Sequence, residues 1–567
     1  MSIALWTIKP IALVGLLALT LSACVLPAPP VAVKAPVALP AAVEPASAIP
    51  LYKNLGAHIR KVTISSPLAQ QYFDQALTLT YAFNHAEAIK MFKEAARLDP
   101  ACAMCYWGIA YALGPNINAP MGDAAVPDAF AALQKAHELA DVVSPVEQDL
   151  IAALASRYVK EPVKDRAPLD KAYADTMRVL AKKYPEDADV NTFFAESLMD
   201  LMPWNFWTKD GQPTTYTEEI ITTLESVLKR APNHPGANHY YIHATEASFN
   251  PERALPSAML LMTLVPDAGH LVHMPAHTFW RVGRYHDAME MNQHAIHTDE
   301  GHNFTPDQGG GTTYSMGYYP HNIQFLYSAA SMIGESTIAL DAARKLDASI
   351  PLETFTAIPS FEGFPSSTLL AMVRFGKWDD ILKFPQPPET LRYVNGIWHY
   401  ARGMAFVRQN KLAEAEKELM PLKELAQSKA MQELGLANFA TASQLLTIAW
   451  NTLEGELAGA QGNIDHQVEH LQQAVQVQDT LPYFEPPAWY APTRQMLGAA
   501  LLKGNRAAEA EAVYQADLKQ YPQNGWSLLG LAQSLKAQGK DQEAAEAQKM
   551  FEAAWQFADV TLTSSRF

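Results

Sequence analysis

Cysteine is scarce in this chain, three residues in 567, so no disulfide framework holds it together. Basic charge is scarce as well: 43 Lys and Arg stand against 59 Asp and Glu, a formal net charge of -16. That balance lacks the basic face a phosphate backbone requires, and no nucleic-acid partner is expected. Runs of alternating apolar and polar residues, the mark of half-buried strands, are missing. The glycine-rich stretch "QGGGTT" (308–313) lacks the Gly-Lys-Ser/Thr ending of a phosphate loop and reads as a plain connection. "HELAD" (137–141) lacks the second histidine of a His-Glu-x-x-His zinc motif. What remains is an ordinary folding composition, 49% apolar and 18% charged, in a chain far longer than one compact domain needs.

The one long apolar run lies at the start. "IALVGLLALTLSAC" follows Lys9, is short for a membrane span, and ends in small residues and Cys24. "LSAC" resembles the lipobox of bacterial lipoproteins, which implies cleavage before Cys24 and lipidation of that cysteine. Val25 after it implies, by the same resemblance, an outer-membrane location in a Gram-negative envelope, facing the periplasm or the cell surface. Residues 1–23 are then a signal peptide. Residues 24–50, with seven prolines and almost no charge, read as an extended tether. Cys102 and Cys105 in "CAMC" are then the remaining cysteines; with no histidine following, covalent haem is not indicated. They are a disulfide or a redox pair in an exported protein.

From about residue 67 the pattern is helical, with apolar and small residues at three and four and Pro or Gly every dozen or so positions. Self-comparison gives a period: Gly498 and Ala532, Leu501 and Leu535, and Ala510 and Ala544 are each 34 apart. Ala76, Ala88, Phe92, Ala95 and Pro100 lay out the same unit near the start, and Gly498, Ala510, Tyr514 and Pro522, then Ala532, Ala544 and Phe551, lay it out near the end. The layout resembles the tetratricopeptide repeat (TPR) family. The resemblance implies an all-α solenoid of stacked helix hairpins whose first helices line a concave groove. The expected organisation is an array over 51–300, a degenerate repeat with insertions over 301–370, and a second array over 371–567.

Two histidine-rich stretches fall in consecutive units. "NHYYIH" carries His239 and His243, and "HLVHMPAH" carries His270, His273 and His277. His239 to His273 and His243 to His277 are both 34, so histidine occupies the same two places twice. Residues four apart share a helix face, and packed helices roughly 8–10 Å apart bring two such faces together. Four imidazoles converging in the groove suit copper or zinc, with Glu246 and His270 one turn away on the same faces. The other reading makes them hydrogen-bonding partners or a grip on a peptide. His321, Trp204 and Trp489 are further groove candidates. "HQVEH" (466–470) has an inverted zinc-protease spacing, but it sits on an outward-facing second helix and no partner acid is identifiable. No nucleophile or general-base motif marks an enzyme. The functional expectation is an envelope-anchored scaffold binding a protein, peptide or small ligand in its groove. The alternative is a copper or zinc protein, or a metal-dependent enzyme, using the histidine cluster.

Overall fold

The computed structural model describes residues 49–304, 312–437 and 439–567, and its regular structure is helical; isolated bridges such as Trp207–Pro213 are the only β pairing among the described residues. The expected signal peptide, Cys24 and nearly all of the tether lie outside the described residues. No described helix is long and apolar enough to cross a membrane.

Ten of the described helices frame the histidines and the contacts between distant parts: α1 (Pro67–Tyr81), α2 (His85–Leu98), α3 (Pro235–Glu246), α4 (Gly269–His273), α5 (Pro275–Arg281), α6 (Tyr285–Gly301), α7 (Tyr319–Ile333), α8 (Ala442–Ala460), α9 (Ile464–Thr480) and α10 (Gly525–Ala537). Sequence neighbours pack against one another, and a pair joined by three residues, as α1 and α2 are, can only run antiparallel. One turn closes many of these hairpins. A residue with positive φ follows the first helix, and the next N–H reaches back five residues, as from Asn84 to the Leu79 carbonyl at 3.0 Å and from Arg284 to Phe279 at 2.8 Å. This is the Schellman closure. It recurs at Phe83, Gly283, Gly334, Gly376, Asn410, Gly462, Asn505 and Gly539.

Small residues set how closely the helices approach. A Cβ on Gly498 would lie 2.3 Å from the Tyr514 ring, and one on Gly530 only 2.1 Å from the same ring. Tyr514 therefore packs between two hairpins through two missing side chains. Near the histidines the first helix of its hairpin divides. Pro275 has no N–H to give to Leu271, and the helix breaks into α4 and α5 at Met274.

An open solenoid joins each hairpin only to its neighbours. Here distant parts meet. Trp526 on α10 donates to the Ser331 carbonyl of α7 at 3.0 Å, and Asp559 accepts from the backbone of Ser336 and Thr337. Gly283 lies against the Pro522 carbonyl, Arg408 donates to the Phe567 carbonyl, and Lys209 donates to the Thr480 carbonyl at 2.6 Å. The first helix α3, which was expected to line a groove, lies inside. Every residue of α3 is buried.

Candidate metal centre

His239 and His243 on α3, His270 and His273 on α4, His277 on α5 and His321 on α7 form one cluster, and five of them are 0–2% exposed. The expectation of a solvent-lined groove is therefore corrected: the imidazoles are in the core.

The four histidines at 34-residue spacing do not make a single four-ligand point. They divide into two trios, His239–His243–His270 and His273–His277–His321, each with ligand atoms within 4.8 Å of one another. The trios repeat one another's geometry. Ring centroids lie 4.9 Å apart for His239–His243 and 4.8 Å for His273–His277. The third ring lies 4.9 Å from His239 in one trio (His270) and 4.9 Å from His273 in the other (His321). The trios abut, with His243 to His277 at 5.4 Å and His270 to His273 at 5.6 Å.

The partners of the other ring nitrogens fix which nitrogen is bare. His239 Nδ1 lies 2.6 Å from the Tyr81 carbonyl, which only accepts, so Nδ1 carries the proton. His273 Nδ1 lies 2.7 Å from Asn292 Oδ1, and Asn292 spends its amide on the Ala288 carbonyl, so this Nδ1 also donates. His243 Nδ1 donates to Glu246 Oε1 at 3.1 Å. His277 Nδ1 stands 2.6 Å from Glu246 and 3.2 Å from Glu485. Each of these four imidazoles thus turns Nε2 inward. His239 and His270 Nε2 are 3.2 Å apart, and His273 and His277 Nε2 only 2.9 Å. The bare lone pairs of neutral His273 and His277 repel at that distance unless a proton or metal ion lies between them. His270, whose Nδ1 has no hydrogen-bond partner among the described residues, is instead free to donate from Nε2 to His239. A tetrahedral ion with Zn–N bonds of about 2.0–2.1 Å needs ligand nitrogens about 3.3 Å apart. Carboxylates and carbonyls behind ligating imidazoles are how proteins orient them.

Burial holds His239, His270 and His273 well below the usual imidazole range, lowers His243, and takes His321 down to about 3. They are neutral, the form that ligates. His277 differs. Burial would lower it too, but Glu246 and Glu485 push it up to about 10. Glu246, raised by burial alone, is held at about 2 by His277 and His243, while burial raises Glu485. A raised pKa favours a second proton on His277, and on Nε2 that proton would point at the bare His273 Nε2 2.9 Å away.

Glu246, expected among the ligands, has one oxygen towards each of His243 and His277, and with His277 and Glu485 it forms a further cluster whose ligand atoms lie within 4.8 Å of one another. Trp204 lies edge-on to His243 at 5.1 Å and is held at φ 61°, an uncommon conformation for a bulky residue. Trp489 is not with the histidines; its ring neighbours are Tyr400 and Tyr490. Cys102 and Cys105 are joined by a disulfide and fully buried. "HQVEH" is corrected on one point: Glu454, brought back by the Gly462 turn, lies 3.7 Å from His470.

Sequence reading did not connect His321 to the pairs, and it missed Tyr81, Asn292 and Glu485. For His321 a signal existed. His270 follows His239 by 31 residues and His321 follows His273 by 48. The 17 extra residues belong to the insertion before α7, which hides the common register.

No family model matches the chain, and no curated relative matches it. Among solved structures it is similar to the human IFIT1 dimer with m7Gppp-AAAA, at 13% identity over 87% of this chain and 91% of that one, with a TM-score of 0.32. It is also similar to Naa15/Naa10 bound to HypK-THB, at 14% identity over 86% and 70%, with a TM-score of 0.23. At these scores the likenesses carry no argument, and fold and site rest on the chain's own geometry.

Proposed function

We propose that this chain is a metalloprotein: a TPR-type helical scaffold that holds copper or zinc on two adjacent three-histidine sites in its core. The lipobox resemblance adds an envelope anchor at Cys24. The observation that carries the reading is one three-imidazole arrangement built twice, with the ligand atoms of each trio within 4.8 Å of one another and acceptors behind His239, His243 and His273 that turn their Nε2 inward. A peptide gripped in an open groove is the weaker reading, because these imidazoles are buried. Structural zinc sites are closed by four protein ligands, whereas three ligands leave a position for water or substrate. The trios supply three each, which favours a reactive centre. A cavity of about 60 Å³ is lined by Gln324, Tyr327, Ser328 and Phe484 among others; His321 is outside the lining, its ring 6.3 Å from that of Phe484, and the cavity suits only a small molecule.

Elemental analysis of protein purified from its native envelope tests this directly. Wild type should carry about one to two ions of copper or zinc per chain. The double variant His273→Ala/His277→Ala should lose the second site, and His239→Ala/His243→Ala the first. Metal-free wild type, both as isolated and after refolding with each ion, sinks the proposal.

A further inference from the structure

The cavity beside α7 has a chemistry as well as a size. No lysine, arginine, histidine, aspartate or glutamate lines it, so a charged molecule entering it would lose its water and find no counter-charge. One part of the wall is apolar, with Leu370, Leu436 and Phe484, and the rest is largely hydroxyl-bearing. Tyr327 is 4% exposed, and its hydroxyl has no hydrogen-bond partner among the described residues. Ser366 and Ser367 donate to the Gly363 and Phe364 carbonyls at 2.7 and 2.8 Å, which leaves their lone pairs to accept. A ligand hydroxyl, which accepts and donates through one oxygen, answers both kinds of group. The volume of about 60 Å³ is well under the roughly 150 Å³ that takes up a benzene ring, so only a few heavy atoms fit.

The place of the cavity in the fold ties it to the second trio. Every residue of α7 is buried except His321, Gln324 and Ser328. These stand at i, i+3 and i+7, a single stripe of the helix. Gln324 and Ser328 line the cavity, and His321 continues the stripe into the trio. The opposite wall does the same. Phe484 lines the cavity and meets the His321 ring at 6.3 Å, while the next residue, Glu485, lies 3.2 Å from His277. The other five histidines are buried, so His321 is the member of the cluster that is partly exposed.

We propose that this cavity binds an uncharged molecule of a few heavy atoms bearing a hydroxyl group, and so serves as the substrate pocket of the second trio. Tyr327 donates to the ligand oxygen, Ser366 or Ser367 accepts from it, and the alkyl part lies against Leu370, Leu436 and Phe484. The binding stands on the walls themselves; its service to the trio rests on the metal reading given above.

The test uses the full chain, with ethanol, 1-propanol, acetate and ethylammonium as probes of similar size, read by saturation-transfer magnetic resonance of the probe. Wild type should transfer saturation to the two alcohols and not to acetate or ethylammonium. Ser328→Phe, which fills the cavity from a partly exposed helix position, should abolish the transfer. Tyr327→Phe, which removes one hydroxyl and keeps the ring, should weaken ethanol about tenfold. Unchanged helical circular dichroism and melting temperature identify the folded variants, and Tyr327→Phe carries the test if Ser328→Phe does not fold. Copper(II) supplies a separate readout. In the loaded wild type the alcohol protons should relax faster than in His273→Ala/His277→Ala. Binding without that difference supports the pocket and counts against the metal reading alone. No transfer to either alcohol in wild type, equal transfer in wild type and folded variants, or acetate binding as well as ethanol, overturns the proposal.

Discussion

At the scale of residues, the histidine cluster rests on side chains outside it. Asp299 on α6 accepts from the Tyr314 hydroxyl at 2.8 Å and from Asn322 on α7 at 2.9 Å, and Tyr314 in turn accepts the backbone N–H of His270. A Cβ on Gly269 would lie 2.0 Å from Asp299 Oδ1, so only glycine lets this carboxyl reach the start of α4. Burial pushes Asp299 up to about 8. The sign follows from the acid being harder to ionise in the fold than in the open chain, where its pKa is near 3.9. Its contribution is complete below about 4 and is lost as pH rises to about 8. Asp299→Asn, which cannot ionise, should therefore gain on wild type in melting temperature between pH 4 and 8 and keep a constant difference beyond. A difference that does not change over that range would show Asp299 ionised throughout.

At the scale of elements, the sequence was a good guide to what repeats and a poor one to what does not. The period of 34 placed helices and turns because each hairpin buries its face on the next, and that requirement recurs in the residues. The tight packing at Gly498 was visible as a small residue at a repeat position, while Gly530, against the other side of the same ring, was not singled out. Gly530→Ala should push a methyl into the Tyr514 ring and destabilise the protein by about 1–3 kcal/mol, read as a lowered urea midpoint. An unchanged midpoint would mean that α10 shifts freely, contrary to its bond from Trp526 to Ser331. The trios were only half legible. Paired histidines at i and i+4 are a local pattern, whereas His321 is displaced by an insertion and Glu485 arrives from a segment more than 200 residues away. Such long-range placement has no periodic trace in the chain. The division at Pro275 could be read, since proline cannot donate to the preceding turn.

For the whole molecule, the departure from expectation is closure. A solenoid with an open concave face would offer its first helices to a partner, but here residues near 283, 331 and 336 meet residues near 522, 526 and 559. Burial keeps five of the imidazoles from water and is why Glu246 and Glu485 act on His277 so strongly. Anchoring is a separate matter, set by residues before the helical part. If Cys24 is lipidated, Cys24→Ser should move the protein from the membrane to the soluble fraction or leave a slower-migrating, uncleaved chain. Wild-type fractionation and migration in the variant would reject the anchor.

The two trios share one register, and that has a historical meaning. Each consists of a histidine pair on one hairpin and a third histidine from the start of the next, so the chemistry is written into the repeat unit. Copying one hairpin in the gene copies half a site and completes its neighbour. A second centre can then arise from one duplication, with no new residue to be found by point mutation. The series also shows where it ends. Gln324 and Ser328 stand on α7 where a third pair would follow His321 at the spacing His273 and His277 keep from His270. Placing histidine at those two positions is the change that would extend the row.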